Sequence, residues 1–167
     1  MKSLWKDDEA ARFESRSGEL GLRVYTSRLL GADESLVLAG GGNTSVKLTK
    51  ANVLGVEEEL LYVKGSGWDL ATIEEPGFSP VKLEALLALS KLEELSDKDM
   101  VTAQRAALLE PSAPNPSVEA ILHAIIPFQF VDHTHADAVV TLTNTPRGEE
   151  LIQDVFEERL LIIPYVM

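Results

Sequence analysis

The chain has 167 residues, 45% apolar and 25% charged, which is one domain's length with an ordinary globular balance and no disorder bias. Its 15 basic against 27 acidic residues leave a net charge of −12, which argues against nucleic acid or an anionic membrane as partner. There is no cysteine, so disulfides and thiolate sites are excluded, and any metal must use histidine, carboxylate and water. Neither a leader-like apolar stretch at the N-terminus nor a membrane-length apolar run is present, and the expectation is a cytoplasmic enzyme or binding module.

The periodicity predicts a helix from Glu9 to Leu30, with Leu22, Tyr25 and Leu29 on one face and Gly18 and Gly21 weakening its first half. Leu36 to Ala39 reads as a short strand, followed by a turn through Gly40-Gly41-Gly42-Asn43. Thr44 to Thr49 alternates, with Val46 and Leu48 on one face, and Leu60 to Val63 is a further strand ending in Lys64-Gly65-Ser66-Gly67. A buried Leu-rich helix is expected over Lys82 to Leu95 and a second helix over Asp99 to Leu109. Pro111, Pro114 and Pro116 stiffen the next loop. Asn115-Pro116 then fits the cap and first position of a helix that Pro127 ends. Ala138 to Thr143 reads as a strand, Gly148 to Glu158 as a helix, and Leu160 to Ile163 as a strand. Strands interleaved with helices imply a layered α/β domain occupying residues 1–167, whose apolar ending looks cut rather than finished.

The chemistry concentrates in a few places. His133 and His135, two of only three histidines, stand two apart, and on a strand both rings would face one point, as metal ligands do. Glu119 lies fourteen residues earlier at a helix start, where it also suits the helix dipole. A histidine pair plus a carboxylate is the minimum kit for metal-assisted acid–base chemistry. His123, four residues after Glu119 among Ile121, Leu122 and Ile125, reads better as a packed residue than as a third ligand. Asp132 and Asp137 flank the pair as either acceptors for the rings or solvated charges. The glycine stretches Gly40 to Gly42 and Gly65-Ser66-Gly67 are each compatible with a simple turn or with a phosphate cradle of bare N–H groups. Ser117 is ordinary capping chemistry that would also face an anion at the helix start. There is no dinucleotide fingerprint, since the third glycine would fall at Leu70, and no Walker pattern.

Taken in order, Gly42-Asn43-Thr44-Ser45, Lys64-Gly65-Ser66-Gly67, Pro116-Ser117-Val118-Glu119 and His133-Thr134-His135-Ala136 resemble the class II aldolase/adducin family. Val24 to Gly31, Gly65 to Leu70 and Val131 to Ala138 look like one branch of it, in which a rhamnulose-1-phosphate-aldolase-like domain is fused to a short-chain dehydrogenase. The resemblance implies a three-layer α/β/α sandwich around a mixed, largely antiparallel sheet, here expected to be C-terminally incomplete. It implies a divalent metal, usually zinc, on His133 and His135, and Glu119 as catalytic acid/base. Gly42, Asn43, Ser66, Gly67 and Ser117 fall on its phosphate-binding positions.

By the same resemblance the substrate is a phosphorylated sugar, a ketose 1-phosphate cleaved to dihydroxyacetone phosphate and an aldehyde. A sugar-phosphate epimerase, a dehydratase or a non-catalytic interaction module are the alternatives on the same scaffold, and a homo-oligomer is expected. Val118 departs from the family's frequent second serine. No histidine follows His135, so the family's downstream third ligand has no counterpart, and weak metal binding with little turnover is expected of these 167 residues.

Overall fold

In the computed structural model, residues 3–163 are described. Two helices open the chain, α1 (Asp7–Ser17) and α2 (Glu19–Gly31), broken at Gly18, whose φ of 59° no helical residue adopts. The strands are β1 (Asn43–Ala51), β2 (Glu57–Lys64), β3 (Phe78–Lys82) and β4 (Phe130–His133). They form one sheet in the order β3-β2-β1-β4, with every pairing antiparallel. Helices α3 (Leu83–Leu89), α4 (Asp97–Ala106) and α5 (Ala120–Ile125) follow the first three strands, and α6 (Asp137–Thr143) and α7 (Gly148–Phe156) come after β4.

Alternation along the strands makes the layers. On β2, Leu60 and Tyr62 join Leu20 and Val24 of α2 and Val46 of β1 in one core, while Leu61 and Val63 join Leu86 of α3 and Ala120 and Ala124 of α5 in the other. Leu60, Leu61 and Val63 are almost fully buried, each contributing about 1.5–3 kcal/mol of burial. The sheet is thus covered on both faces, an α/β/α sandwich built as the period-two pattern requires.

Several local expectations do not hold. Leu36 to Ala39 is a turn, in which the N–H of Val37 bonds to Asp33 and that of Gly41 to Leu38. β3 escapes the pattern because Pro80 interrupts it; the strand lies at the sheet edge, where a missing N–H is tolerated. The Leu-rich helix stops at Leu89 rather than Leu95, and Leu92 beyond it is exposed. Helix α5 begins at Ala120 with Glu119 as its cap, because residues 115–117 pair with the end of β2: Pro116 bridges Gly65, and the N–H of Ser117 bonds to the carbonyl of Lys64.

The stretch Ala138 to Thr143 is helix α6, not a strand. Its β-branched residues suit a strand, but they pair with no strand among the described residues, so the backbone closes its own hydrogen bonds and α6 packs on α7. Leu160 to Ile163 forms no strand either, lying beyond a 3-10 turn at Glu157–Arg159. No helix among the described residues is long and apolar enough to cross a membrane.

Candidate functional site

The antiparallel order brings Asn43 at the start of β1, Lys64 at the end of β2 and His133 at the end of β4 to one end of the sheet. Register then sorts the side chains. Asn43 pairs with His133, and Ser45 with Val131, all on the α5 face; Thr44 pairs with Asp132, on the α2 face. The sequence-predicted residues meet here. Gly42, Asn43, Ser66, Gly67, Ser117, Glu119 and His135 line a cavity of about 310 Å³ with Lys64, and His133 joins it through Asn43.

The buried Asn43 amide is the junction. Its Nδ2 donates to Glu119 Oε2 at 3.0 Å and lies 3.1 Å from His133 Nδ1. The Ser117 hydroxyl donates to the same Glu119 oxygen. Burial raises the Glu119 pKa, but the Ser117 hydroxyl, its own N–H and the His133 and His123 imidazoles outweigh that, holding it below the usual value. Both side-chain donors fall on Oε2, and among the described residues Oε1 is free of side-chain donors. The ring centroids of His133 and His135 lie 4.8 Å apart, although only His133 belongs to the strand. His135 is held instead by its N–H to the Leu36 carbonyl. Burial lowers the His133 pKa, with Glu119 opposing and His135 assisting, so the ring is neutral near pH 7, as a metal ligand must be.

Gly42 is required twice over: its φ is 63°, and a Cβ there would lie 2.7 Å from the His133 carbonyl oxygen. Gly67, with φ 88°, turns the second glycine loop. Among the described residues no protein acceptor faces the N–H groups of Gly40, Gly42 or Gly67.

His123 is packed, as its surroundings suggested. It is 1% exposed, and its Nδ1 meets Ser45 Oγ at 2.8 Å. Burial first and His133 second push its pKa down to about 4. Asp132 does not orient either ring; it forms a 2.6 Å ion pair with Arg23 of α2. Arg23, itself 1% exposed, also reaches the carbonyls of Ser45 and Val131 and lies over Phe130, tying α2 to the strand that carries His133. Sequence reasoning missed Arg23, and its only signal was a charge inside an apolar helical stretch. Lys64 was missed too, as an unassigned member of the Lys64-Gly65-Ser66-Gly67 stretch.

Residues 22–167 match the Class II Aldolase and Adducin N-terminal domain. The chain belongs to that family. The N-terminal class II aldolase domain of a conserved protein from Thermoplasma acidophilum has a similar structure, with a TM-score of 0.87 and 37% identity over 99% of this chain and 74% of that one. A Bacillus subtilis (strain 168) protein described as the uncharacterized oxidoreductase YuxG is 37% identical over 166 residues, 99% of this chain. The chain spans 24% of that relative's length. Membership makes an aldolase-like, enzyme-type domain the general reading, in a family that generally uses divalent metals.

The residues present fit such a metal as part of a ligand set. Two imidazoles converge, and Asn43 contacts one at its Nδ1. Among the described residues no group of three or more His, Cys, Asp or Glu is placed to hold a metal.

Proposed function

We propose that the protein of which this domain is part cleaves a ketose 1-phosphate, of the rhamnulose 1-phosphate kind, to dihydroxyacetone phosphate and an aldehyde. The observation that carries the reading is the convergence of Glu119, Asn43, Ser117 and the histidine pair on one cavity flanked by two glycine loops. His133 and His135 would hold zinc or another divalent ion, which when bound acts as a Lewis acid toward the substrate oxygens.

The protein's own groups do the rest. The glycine loops offer N–H donors to the phosphate, with Gly42, Asn43, Ser66 and Gly67 lining that end. Ser117, which the resemblance assigns to the phosphate, spends its hydroxyl proton on Glu119 and so serves the carboxylate in this arrangement. Cleavage of the C3–C4 bond passes the C4 hydroxyl proton to Glu119 Oε1 and leaves an enediolate, and Glu119 then returns that proton to the enediolate carbon while Oε2 stays anchored by Asn43 and Ser117. Anchoring one oxygen fixes where the other can point, which sets the geometry of proton transfer before substrate arrives.

Partners follow the same reading. A phosphorylated sugar is the ligand, and neither nucleic acid nor membrane suits the acidic surface. Self-association is part of the proposal, because Val118, Leu122, Ile125 and Phe128 leave apolar side chains in solvent along and beside α5. The oxidoreductase description of the much longer relative supports a fused dehydrogenase in the whole protein, and cytoplasmic residence accords with that role.

The test is product analysis by NMR, with metal-loaded whole protein and ketose 1-phosphates. Two fragments, lost in Glu119→Gln, are expected. A single isomer would move the assignment to an epimerase, and loss of water to a dehydratase. No turnover of any sugar phosphate, with Glu119→Gln indistinguishable, would leave a non-catalytic interaction module.

A further inference from the structure

Lys64 ends β2 inside the cavity, 6% exposed, with one hydrogen bond, from Nζ to the Gly40 carbonyl at 3.2 Å. Among the described residues no carboxylate stands within ion-pair distance of it. By contrast, buried Arg23 has Asp132, and Lys82 has Glu58. A buried ammonium without a counter-charge is costly, and proteins seldom keep one without a use for it. Burial draws its pKa down, while Asp69 and Glu119 oppose this from longer range.

The groups around Lys64 share one polarity. The N–H groups of Gly40, Gly42 and Gly67 have no acceptor among the described residues, and all can only donate. Two of the three ammonium protons of Lys64 likewise have no acceptor among the described residues. Glu119 and His135 lie elsewhere in the lining, with carboxylate and imidazole character, and the Ser117 hydroxyl proton is already committed to Glu119. The cavity therefore has a donors-only region and an acid–base region. A ligand that satisfies both carries an anion on one side and hydroxyls on the other.

We propose that Lys64 is a specificity-determining residue, supplying the counter-charge for the substrate's anionic group and fixing that group beside the glycine turns while the hydroxyl-bearing carbons face Glu119 and the histidines. This rests on reading the cavity as a sugar-phosphate site. It adds the residue that selects charge, a role none of the hydroxyl or glycine positions can fill.

The experiment is calorimetric binding of inorganic phosphate, glycerol 1-phosphate and gluconate to the metal-loaded whole protein, across a range of ionic strength. Wild type is compared with Lys64→Met, Lys64→Arg and Lys64→Gln, with glycerol as a neutral control and thermal melting to verify folding. Phosphate and glycerol 1-phosphate affinity should fall roughly 10–100-fold in Lys64→Met and Lys64→Gln, the loss of one charge-assisted contact. Lys64→Arg should keep most of it, and the salt dependence should flatten in the neutral variants. A lysine that merely holds the Gly40 turn would instead lower the melting temperature without a charge-selective loss, and that result overturns the proposal. Unchanged phosphate binding in Lys64→Met overturns it also, while leaving the sugar-phosphate reading intact. Lys64-dependent binding of gluconate but not phosphate supports the anchor and overturns the phosphate reading. Binding of neither anion by wild type overturns both.

Discussion

Asp132 and Arg23 form a lopsided ion pair, and the lopsidedness predicts which partner is harder to lose. The Arg23 side chain is 1% exposed and that of Asp132 50% exposed, with Nη1 and Oδ1 2.6 Å apart. Removing Asp132 strands a guanidinium inside the protein, where its remaining partners are the carbonyls of Ser45 at 3.4 Å and Val131 at 3.5 Å and the Ser27 hydroxyl at 3.2 Å. Breaking a buried pair this way costs about 3–5 kcal/mol. Since water already reaches the Asp132 side, the cost falls just below that range, about 2–3 kcal/mol for Asp132→Ala. Arg23→Met is different. It removes the buried charge, keeps an apolar stem against Phe130, and returns a half-exposed carboxylate to water, so the cost should be about 1 kcal/mol or less. The double variant should resemble Arg23→Met, because no charge is then left buried. Urea unfolding of metal-free protein at pH 7.5, by linear extrapolation, measures all three. If Arg23→Met proves more damaging than Asp132→Ala, the assignment of Arg23 as a desolvated charge held by Asp132 is refuted.

Other expectations follow from the same geometry. His123, buried neutral, titrates near pH 4 in the fold against 6.5 as its ordinary value, so the unfolded chain binds the extra proton between these values. Its stabilising contribution is complete above pH 6.5 and is lost as pH falls toward 4, about 3 kcal/mol across the window. Urea midpoints should therefore fall more steeply with acid in wild type than in His123→Gln, and parallel slopes would contradict this. Gly42→Ala must place a Cβ against the His133 carbonyl at positive φ; it should cost at least about 1–2 kcal/mol and weaken metal binding, and an unchanged unfolding midpoint would show the turn is not constrained. Ser117→Ala removes a donor from Glu119, so the Glu119 carboxyl should titrate higher by carbon-13 NMR, and an unshifted curve would mean the hydroxyl does not hold the charge.

Much of the sandwich was legible because β1 and β2 alternate cleanly. Val46 and Leu48 meet one core, Leu61 and Val63 the other, and the break at Gly18 was visible as a helix weakness. The site residues were legible as separate motifs, but their meeting was not, since it depends on register: Asn43 opposite His133, and Pro116 bridging Gly65. β3 stayed hidden because Pro80 is read as a strand breaker unless the strand is known to be an edge. α6 was mistaken because Val139, Val140 and Thr141 carry strand propensity, whereas the packing of this stretch on α7 is a tertiary fact. Arg23 was invisible for a similar reason. Its partner lies 109 positions away and faces it only once β4 has docked on β1.

The central claim is that His133 and His135 form the metal-holding part of an acid–base site. Zinc titration of the metal-free 167-residue chain by calorimetry, with elemental analysis and with His133→Ala and His135→Ala alongside, tests it most directly. The account predicts measurable but weak zinc binding, abolished by either substitution, because two imidazoles hold zinc far less firmly than three ligands. Zinc binding that survives both substitutions, or none above that of the variants, would contradict it.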